Sequence, residues 1–325
     1  MSVNIGLWYL AEKPVASEGL VVFSHGFSGS PQAYPMLIED LVKRGYVVVA
    51  PYHNDYLTTL NPILPFRLHI DQLLAIFGEA LDEIRQVPGY EDISADELLS
   101  RLVQQVLSGI IDNEEIREIF RQTFNYRERE LDLALNLALT LNKDENSPLY
   151  GRIDENQIAM AGHSMGGDTA LRKVISDSPS YDPRIKAALL LSPVSALSDV
   201  SKVAVPTRWM TGTIDDPGLY QTTYQAFALA PSPSSLIDFA EVGHLTFSDF
   251  ACQLHQFIAG IFPDLNNGEK LFQPVDFLAT QNWQEKTTAI RAASGDFLDF
   301  WLKGTGTEND WLPLYQDLVY YFEEK

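Results

Sequence analysis

The chain has 325 residues, 46% of them hydrophobic, so it can form one large domain or a domain that carries an insertion. Its 44 acidic residues outnumber 23 basic ones, which gives a formal net charge of -21. Contacts with phosphates or anionic lipids need clustered lysine and arginine, so this balance argues against a protein that binds nucleic acid or membranes.

The sequence also bears on the cellular compartment. The single cysteine, Cys252, excludes an internal disulfide, and its apolar neighbours indicate a buried thiol. The amino terminus lacks the positive charges and the small-residue cleavage site of a secretory signal. No apolar run is long enough for stable insertion across a bilayer. We therefore expect a cytoplasmic protein.

The first part of the chain has the pattern of parallel α/β structure. Apolar runs at Leu20–Ser24 and Tyr46–Pro51 predict strands that are buried on both faces. Helical spacing from Tyr34 to Lys43 predicts a helix between them. Strand, helix and strand in this order indicate a parallel crossover unit.

Strand signals disappear between residues 55 and 125. Apolar residues at helical spacing instead predict three consecutive helices, the last of them over Ile116 to Phe120. Such an insertion follows the carboxyl end of a strand, where α/β sheets bind ligands. We predict a helical lid over 55–125 and an α/β core formed by 1–54 and 126–325. Plain packing of these helices against the back of the sheet is the alternative.

Beyond the insertion, helices and strands alternate again. A helix is predicted over Arg127–Asn142, and another over Phe297–Lys303 that ends at Gly304. Further apolar runs predict strands at Ile158–Ala161, Ile185–Leu191, Thr207–Met210 and Leu236–Phe239.

The strongest motif lies between a predicted strand and a predicted helix. The five residues from Gly162 to Gly166 fit the pattern G-x-S-x-G, with Ser164 at its centre. In this context the serine hydroxyl lies on a sharp turn, clear of the backbone, and both glycines are required because a Cβ would crowd neighbouring backbone. We predict that Ser164 is a nucleophile. A glycine-rich turn without chemistry is the alternative.

A serine nucleophile needs a base and an acid that orients the base. His244 follows a strand end and a glycine, and is the best candidate base. Asp215 follows another strand end and is the candidate acid, with its neighbour Asp216 as the alternative. The resulting chain order of Ser164, Asp215 and His244 is that of the α/β-hydrolase triad.

The remaining histidines receive structural interpretations. His25 is expected to orient its own loop through a hydrogen bond, and His163 is expected to pack beside the serine. His53 and His69 lie at the entrance of the insertion, where ordinary surface placement is favoured over substrate contact. His255 is expected to be structural, in a helix.

A tetrahedral intermediate also needs hydrogen-bond donors for its oxyanion. The backbone N–H of Met165 follows the nucleophile and is one predicted donor. The N–H of Phe27, after the first buried strand, is the predicted second donor, because Gly26 allows close approach of the backbone.

Other site classes find no support in the sequence. The histidines and the lone cysteine do not fall at zinc-ligand spacings, and H-E-x-x-H is absent. No glycine-rich phosphate-binding pattern opens a helix. We therefore expect neither a metal nor a cofactor.

Four segments together resemble the α/β-hydrolase superfamily: Ser24 to Phe27, Gly162 to Gly167, Gly212 to Asp215, and Gly243-His244. Within it the chain is similar to the dienelactone-hydrolase-like and platelet-activating-factor-acetylhydrolase-like serine esterases. This resemblance covers most of the chain outside the insertion. It implies a mostly parallel eight-stranded sheet with flanking helices, and ester hydrolysis without a cofactor.

These observations lead to one functional hypothesis and several alternatives. We expect a serine carboxylic-ester hydrolase that acts through an acyl-enzyme on small-molecule esters of short to medium chain length. An amidase, a thioesterase or a lidded lipase would use the same triad. A non-catalytic hydrolase fold that serves as a binding module is the alternative from another class.

Overall fold

An eight-stranded sheet lies at the centre of the computed structural model, which describes residues 3–26, 29–53, 114–195, 198–215, 217–249 and 282–325. Residues 114–121 and 217 are described by their backbone alone. The strands are β1 (Ile5–Trp8), β2 (Glu18–Ser24), β3 (Tyr46–Pro51), β4 (Ile153–His163), β5 (Ala187–Leu191), β6 (Thr207–Gly212), β7 (Ser234–Phe239) and β8 (Val319–Glu324). Their order is β1-β3-β2-β4-β5-β6-β7-β8. Strands β1 and β8 pair antiparallel at the two edges, and the strands between them are parallel, which confirms the predicted sheet.

Helices cover both faces of this sheet. They are α1 (Pro35–Lys43), α2 (Glu114–Lys143), α3 (Met165–Arg172), α4 (Pro217–Leu229), α5 (Trp283–Leu298) and the short α6 (Leu312–Tyr315). Helices α2, α3 and α4 pack on one face, and α1 and α5 pack on the other. Side chains alternate along each strand, so Leu20 and Val22 of β2 belong to the first core layer and Val21 and Phe23 to the second. No helix in the described ranges is long and apolar enough to cross a membrane.

The central strands were predictable because they are buried on both faces. Every residue of β2, β3, β5, β6 and β7 is buried, and such strands appear in a sequence as continuous apolar runs. The edge strands β1 and β8 were not predicted. They are only partly buried, so their sequences carry no such run.

One helix prediction was wrong in its extent. The helices expected over Ile116–Phe120 and Arg127–Asn142 form one continuous helix, α2, of 30 residues. The physical reason is that the chain from Glu114 to Lys143 contains neither glycine nor proline, so nothing interrupts the backbone hydrogen bonds. Helix α2 therefore runs through the predicted boundary between insertion and core at residue 125, and this boundary stays a prediction.

The carboxyl-terminal helix also begins earlier than expected. Helix α5 starts at Trp283, and a short π-helical segment, Asp299–Lys303, follows directly after its last residue. It ends at Gly304 as predicted, where a φ of 64° places the glycine in the left-handed region.

Several predictions fall outside the described residues. They are the part of the predicted insertion up to residue 113, and also Phe27, His69, Asp216, Cys252 and His255.

Candidate active site

Ser164 lies in a strained turn at the end of β4. Its φ of 58° and ψ of −127° lie outside the regions that L-residues ordinarily adopt. The backbone N–H of Ser164 donates to the carbonyl of Leu191 at 2.9 Å, and its own carbonyl accepts from Gly167 at 2.9 Å. Helix α3 begins at the next residue, so the chain turns from strand to helix within one residue, as the motif predicts.

Close backbone packing explains the two glycines of this turn. A Cβ on Gly162 would overlap the carbonyl of Gly166. A Cβ on Gly166 would overlap the carbonyl of Ser24, at the end of the neighbouring strand β2. The elbow therefore fits against β2 only with glycine at both positions.

The structure brings Asp215 and His244 together. Asp215 follows β6, and His244 begins a short 3₁₀ turn after β7. Oδ1 of Asp215 lies 3.1 Å from Nδ1 of His244. The carboxylate is completely buried, whereas the His244 side chain is 20% exposed. The arrangement favours a proton on Nδ1, which leaves Nε2 as the basic nitrogen of the imidazole.

Ser192 joins this pair and was missed by sequence reasoning. Its hydroxyl lies 2.8 Å from Nδ1 of His244 and also donates to Oδ2 of Asp215. Ser192 follows β5, between the strands that carry Ser164 and Asp215, and its φ of 40° is also positive. A polar residue directly after a parallel strand was the available signal, because all such residues meet at one edge of the sheet.

Several hydrogen bonds hold the loop after β2. The carbonyl oxygen of Gly26 accepts from Nδ1 of His25 at 2.7 Å, from Arg127 at 3.2 Å and from the backbone of Gly29 at 3.1 Å. Arg127, which is completely buried on α2, also donates to the carbonyl of His25 at 2.8 Å. The expected loop-orienting hydrogen bond of His25 is thus confirmed. Phe27, the predicted oxyanion donor, follows Gly26 in the chain.

The other predicted donor, Met165, is the first residue of α3. The first N–H groups of a helix have no acceptor within the helix, and the helix dipole adds a partial positive charge there. Met165 is therefore placed where a backbone donor toward an oxyanion is expected.

His53 is buried, so the expected surface placement was wrong. Its Nδ1 lies 2.7 Å from a carboxylate oxygen of Glu130 on α2, and its Nε2 lies 2.8 Å from the hydroxyl of Ser24. Its backbone N–H donates to Nε2 of His25 at 3.0 Å. The reason for its burial is that helix α2 packs against β2 and β3 and contacts the residues that follow them, His25 and His53.

Both of these histidines are kept neutral. Burial, with a smaller contribution from the charge of Arg127, lowers the pKa of His25 from 6.5 to about 3. Burial, followed by Arg127 and His25, holds the pKa of His53 well below its usual value. A neutral His25 can donate from one nitrogen and accept at the other, as its two contacts require.

The sheet order and the position of the serine turn are those of the α/β-hydrolase fold. Comparison with known proteins agrees. A family model described as "PETase: PET hydrolase-like" matches residues 100–227, a range that includes Ser164 and Asp215 and ends before His244. Together these findings show an α/β-hydrolase fold and a similarity to PET-hydrolase-like esterases over part of the chain.

Individual relatives match this chain over segments of 81 to 175 residues. The chain is 36% identical to "Cutinase 2" of Thermobifida cellulosilytica over 89 residues, which are 27% of this chain and 31% of the cutinase. It is 38% identical to "Cutinase est2" of Thermobifida alba over 81 residues, which are 25% of this chain and 24% of that relative. It is 28% identical to "Platelet-activating factor acetylhydrolase" of Canis lupus familiaris over 175 residues, 49% of this chain and 32% of that relative. The chain thus spans less than a third of the length of each of these relatives.

Proposed function

We propose that this protein is a serine carboxylic-ester hydrolase. The observation that carries the proposal is the contact of 3.1 Å between Asp215 and His244, at the same edge of the sheet as the strained Ser164. The names of the relatives, cutinase and acetylhydrolase, support an ester as the substrate.

The proposed reaction begins with attack of Ser164 Oγ on the ester carbonyl carbon while Nε2 of His244 takes the hydroxyl proton. The buried carboxylate of Asp215 orients the ring and stabilises the imidazolium that forms. The carbonyl oxygen becomes an oxyanion that accepts hydrogen bonds from the N–H groups of Met165 and Phe27. Collapse of this intermediate breaks the bond to the alcohol, which leaves with the proton from His244.

Water then completes the cycle. His244 removes a proton from a water molecule, whose oxygen attacks the acyl-enzyme carbonyl. The second tetrahedral intermediate releases the carboxylic acid and returns the proton to Ser164 Oγ. Every step is a proton transfer or an acyl transfer, so the chain's own residues are sufficient for the chemistry.

We further propose that the predicted insertion of residues 55–125 forms a lid over this site. Support comes from α2, whose first turns belong to that range and whose residue Arg127 contacts the loop of His25 and Gly26. A lid at this edge would limit the acyl chain, which favours small esters of short to medium chain length.

The test is hydrolysis of p-nitrophenyl acetate and butyrate. Ser164→Ala is expected to abolish activity above background while the far-UV circular dichroism is unchanged, and the exposed serine variant Ser201→Ala is the matched control. Activity retained by Ser164→Ala would contradict the proposal.

Matched ester, thioester and amide substrates separate the enzymatic alternatives. The proposal predicts the highest kcat/KM for the ester. A preference for the thioester or the amide would mean that the enzyme cleaves that bond, still with Ser164 as the nucleophile. Activation at an oil–water interface would favour a lipase.

A further inference from the structure

A continuous set of hydrogen bonds connects the loop after β2 with the loop that carries His244. The backbone N–H of Gly26 donates to the hydroxyl oxygen of Tyr34 at 3.0 Å. That hydroxyl lies 2.8 Å from Nδ1 of His163, the residue before the serine. Nε2 of His163 lies 2.9 Å from the carbonyl oxygen of His244. Tyr34 and His163 are each only 2% exposed.

The direction of every hydrogen bond in this set is fixed by its two ends. A carbonyl oxygen can only accept, so Nε2 of His163 carries the proton and donates to His244. A backbone N–H can only donate, so the oxygen of Tyr34 accepts from Gly26. The Tyr34 hydroxyl proton then points at Nδ1 of His163, which accepts as the unprotonated nitrogen of a neutral imidazole.

His163 and Tyr34 both keep these protonation states. Burial, assisted by the neighbouring His244, holds the pKa of His163 well below its usual value. Burial likewise raises the pKa of Tyr34. His163 therefore stays neutral when the neighbouring imidazole of His244, at a ring-centroid distance of 4.7 Å, receives a proton.

The two loops that this set connects are far apart in the sheet. Gly26 follows β2 and His244 follows β7, and the strands β4, β5 and β6 lie between β2 and β7. Through Tyr34 and His163, the main chain of His244 is held relative to the loop whose backbone is expected to bind the oxyanion.

We propose that Tyr34 and His163 are positioning residues for His244, which fix its backbone through one directional set of hydrogen bonds. The inference rests on the proposed esterase function. Neither residue exchanges a proton with the substrate. Their effect is on the placement of the base, and misplacement of a reacting group by about 1 Å can lower a rate roughly 100-fold.

Tyr34→Phe removes one hydroxyl and tests the proposal directly. We expect kcat for p-nitrophenyl butyrate to fall about 10- to 100-fold, with KM changed less than about twofold, since the base is displaced and the acyl pocket is not. The matched control is Tyr46→Phe, which removes another buried tyrosine hydroxyl bonded at 2.9 Å to Asp299, near the amino end of β3. The control variant is expected to lose stability and keep its kcat.

Two substitutions at His163 separate hydrogen bonding from packing. His163→Phe fills similar space without polar atoms, and it is expected to lower kcat as much as Tyr34→Phe. His163→Gln supplies an amide NH₂ donor group and a carbonyl acceptor, and its kcat is expected to exceed that of His163→Phe. The double variant Tyr34→Phe/His163→Phe should be no worse than the poorer single variant, because both act through the same set of bonds.

The ¹⁵N spectrum of the imidazoles gives a readout that does not need activity. The proposal predicts a neutral, Nε2-protonated His163 in the wild type between pH 5 and pH 8. In Tyr34→Phe it predicts the same tautomer with a changed ¹⁵N shift of Nδ1, because this nitrogen loses the hydrogen bond from the tyrosine hydroxyl. An Nδ1-protonated His163 in the wild type would overturn the proposal. So would a kcat in Tyr34→Phe equal to that of Tyr46→Phe. Failure of the wild type to hydrolyse any ester, with the predicted tautomer present, would instead refute the esterase function.

Discussion

The guanidinium of Arg127 donates to the carbonyl oxygen of Gly26 from a helix that lies 101 residues further along the chain. In a planar trans peptide the N–H points away from the carbonyl oxygen, so an interaction that fixes the carbonyl also fixes the direction of the following N–H. Arg127 thereby connects helix α2, which enters the core from the predicted lid, with the backbone expected to bind the oxyanion.

Arg127→Lys is the first prediction. Lysine keeps the charge but offers a point charge where arginine offers a planar fork, so it cannot hold the carbonyls of His25 and Gly26 together. We expect kcat to fall about 10-fold or more, with a smaller change in KM, because loss of an oxyanion donor acts mainly on the transition state.

The matched control for this variant is Arg152→Lys. Arg152 is also buried and donates to a backbone carbonyl, that of Leu10 at 2.9 Å, at the opposite end of the sheet. The variant Arg152→Lys should have a lower melting temperature and an unchanged kcat. Equal kcat values in the two variants would show that Arg127 contributes to stability alone.

The assignment of the triad acid can be decided between two neighbours. Asp215→Asn keeps the shape of the side chain but no longer favours the Nδ1-protonated tautomer of His244. Kinetic measurement should show a fall in kcat of up to roughly 10⁴-fold. This is the effect of replacing the aspartate of a Ser-His-Asp triad by asparagine. Asp216→Asn should stay within a few-fold of the wild type, and the reverse result would assign the role to Asp216.

Ser192→Ala tests the additional contact at the acid–base pair. The variant removes the hydroxyl that bonds to both Asp215 and His244, so both groups gain freedom to move. We expect kcat to fall several-fold, in line with about 1 kcal/mol for one such hydrogen bond.

A second serine provides the comparison for Ser192→Ala. The hydroxyl of Ser198 donates to the buried carboxylate of Asp168 at 2.6 Å, outside the proposed triad. Ser198→Ala should therefore reduce stability alone. If both variants hydrolyse p-nitrophenyl butyrate at the wild-type rate, Ser192 does not support the base.

The stability of the fold should decrease as the pH falls below neutrality. His25 has its pKa lowered to about 3 in the folded protein, whereas an unfolded histidine titrates near 6.5. The unfolded chain therefore binds a proton between these values that the folded protein does not bind. The contribution of His25 to the free energy of unfolding is therefore complete above pH 6.5, and it is lost as the pH falls toward 3.

Urea unfolding at pH 7.5 and pH 5.5 measures this effect. In His25→Asn the side chain keeps an N–H donor but does not titrate, so its free energy of unfolding should fall by about 1 kcal/mol less than that of the wild type over this interval. Equal losses in the two proteins would contradict the burial of a neutral His25.

The parts that the sequence predicts well are those with local signatures. The buried strands appear as apolar runs, and the elbow at Ser164 needs glycines within two residues on either side. Asp215 and His244 follow strand ends, which meet at one edge of any parallel sheet. The positions of these residues could therefore be inferred before their contacts were known.

The parts that the sequence does not predict depend on distant contacts. Tyr34 and His163 are 129 residues apart in the sequence, and Arg127 and His25 are 102 residues apart. No local sequence pattern therefore predicts either contact. The burial of His53 depends in the same way on where α2 packs. The full length of α2, in contrast, has a local signature. The sequence between residues 114 and 143 contains no glycine or proline, so one continuous helix could have been predicted.

The most direct test of the central claim is the identification of the residue that forms the covalent intermediate. A fluorophosphonate probe reacts with a serine only where a base and oxyanion donors activate it. After labelling of the wild type, digestion and mass spectrometry should find one adduct, on Ser164, and it should be absent after pre-incubation with an ester that acylates the enzyme. No adduct, or an adduct on another serine with Ser164 unmodified, would contradict the account.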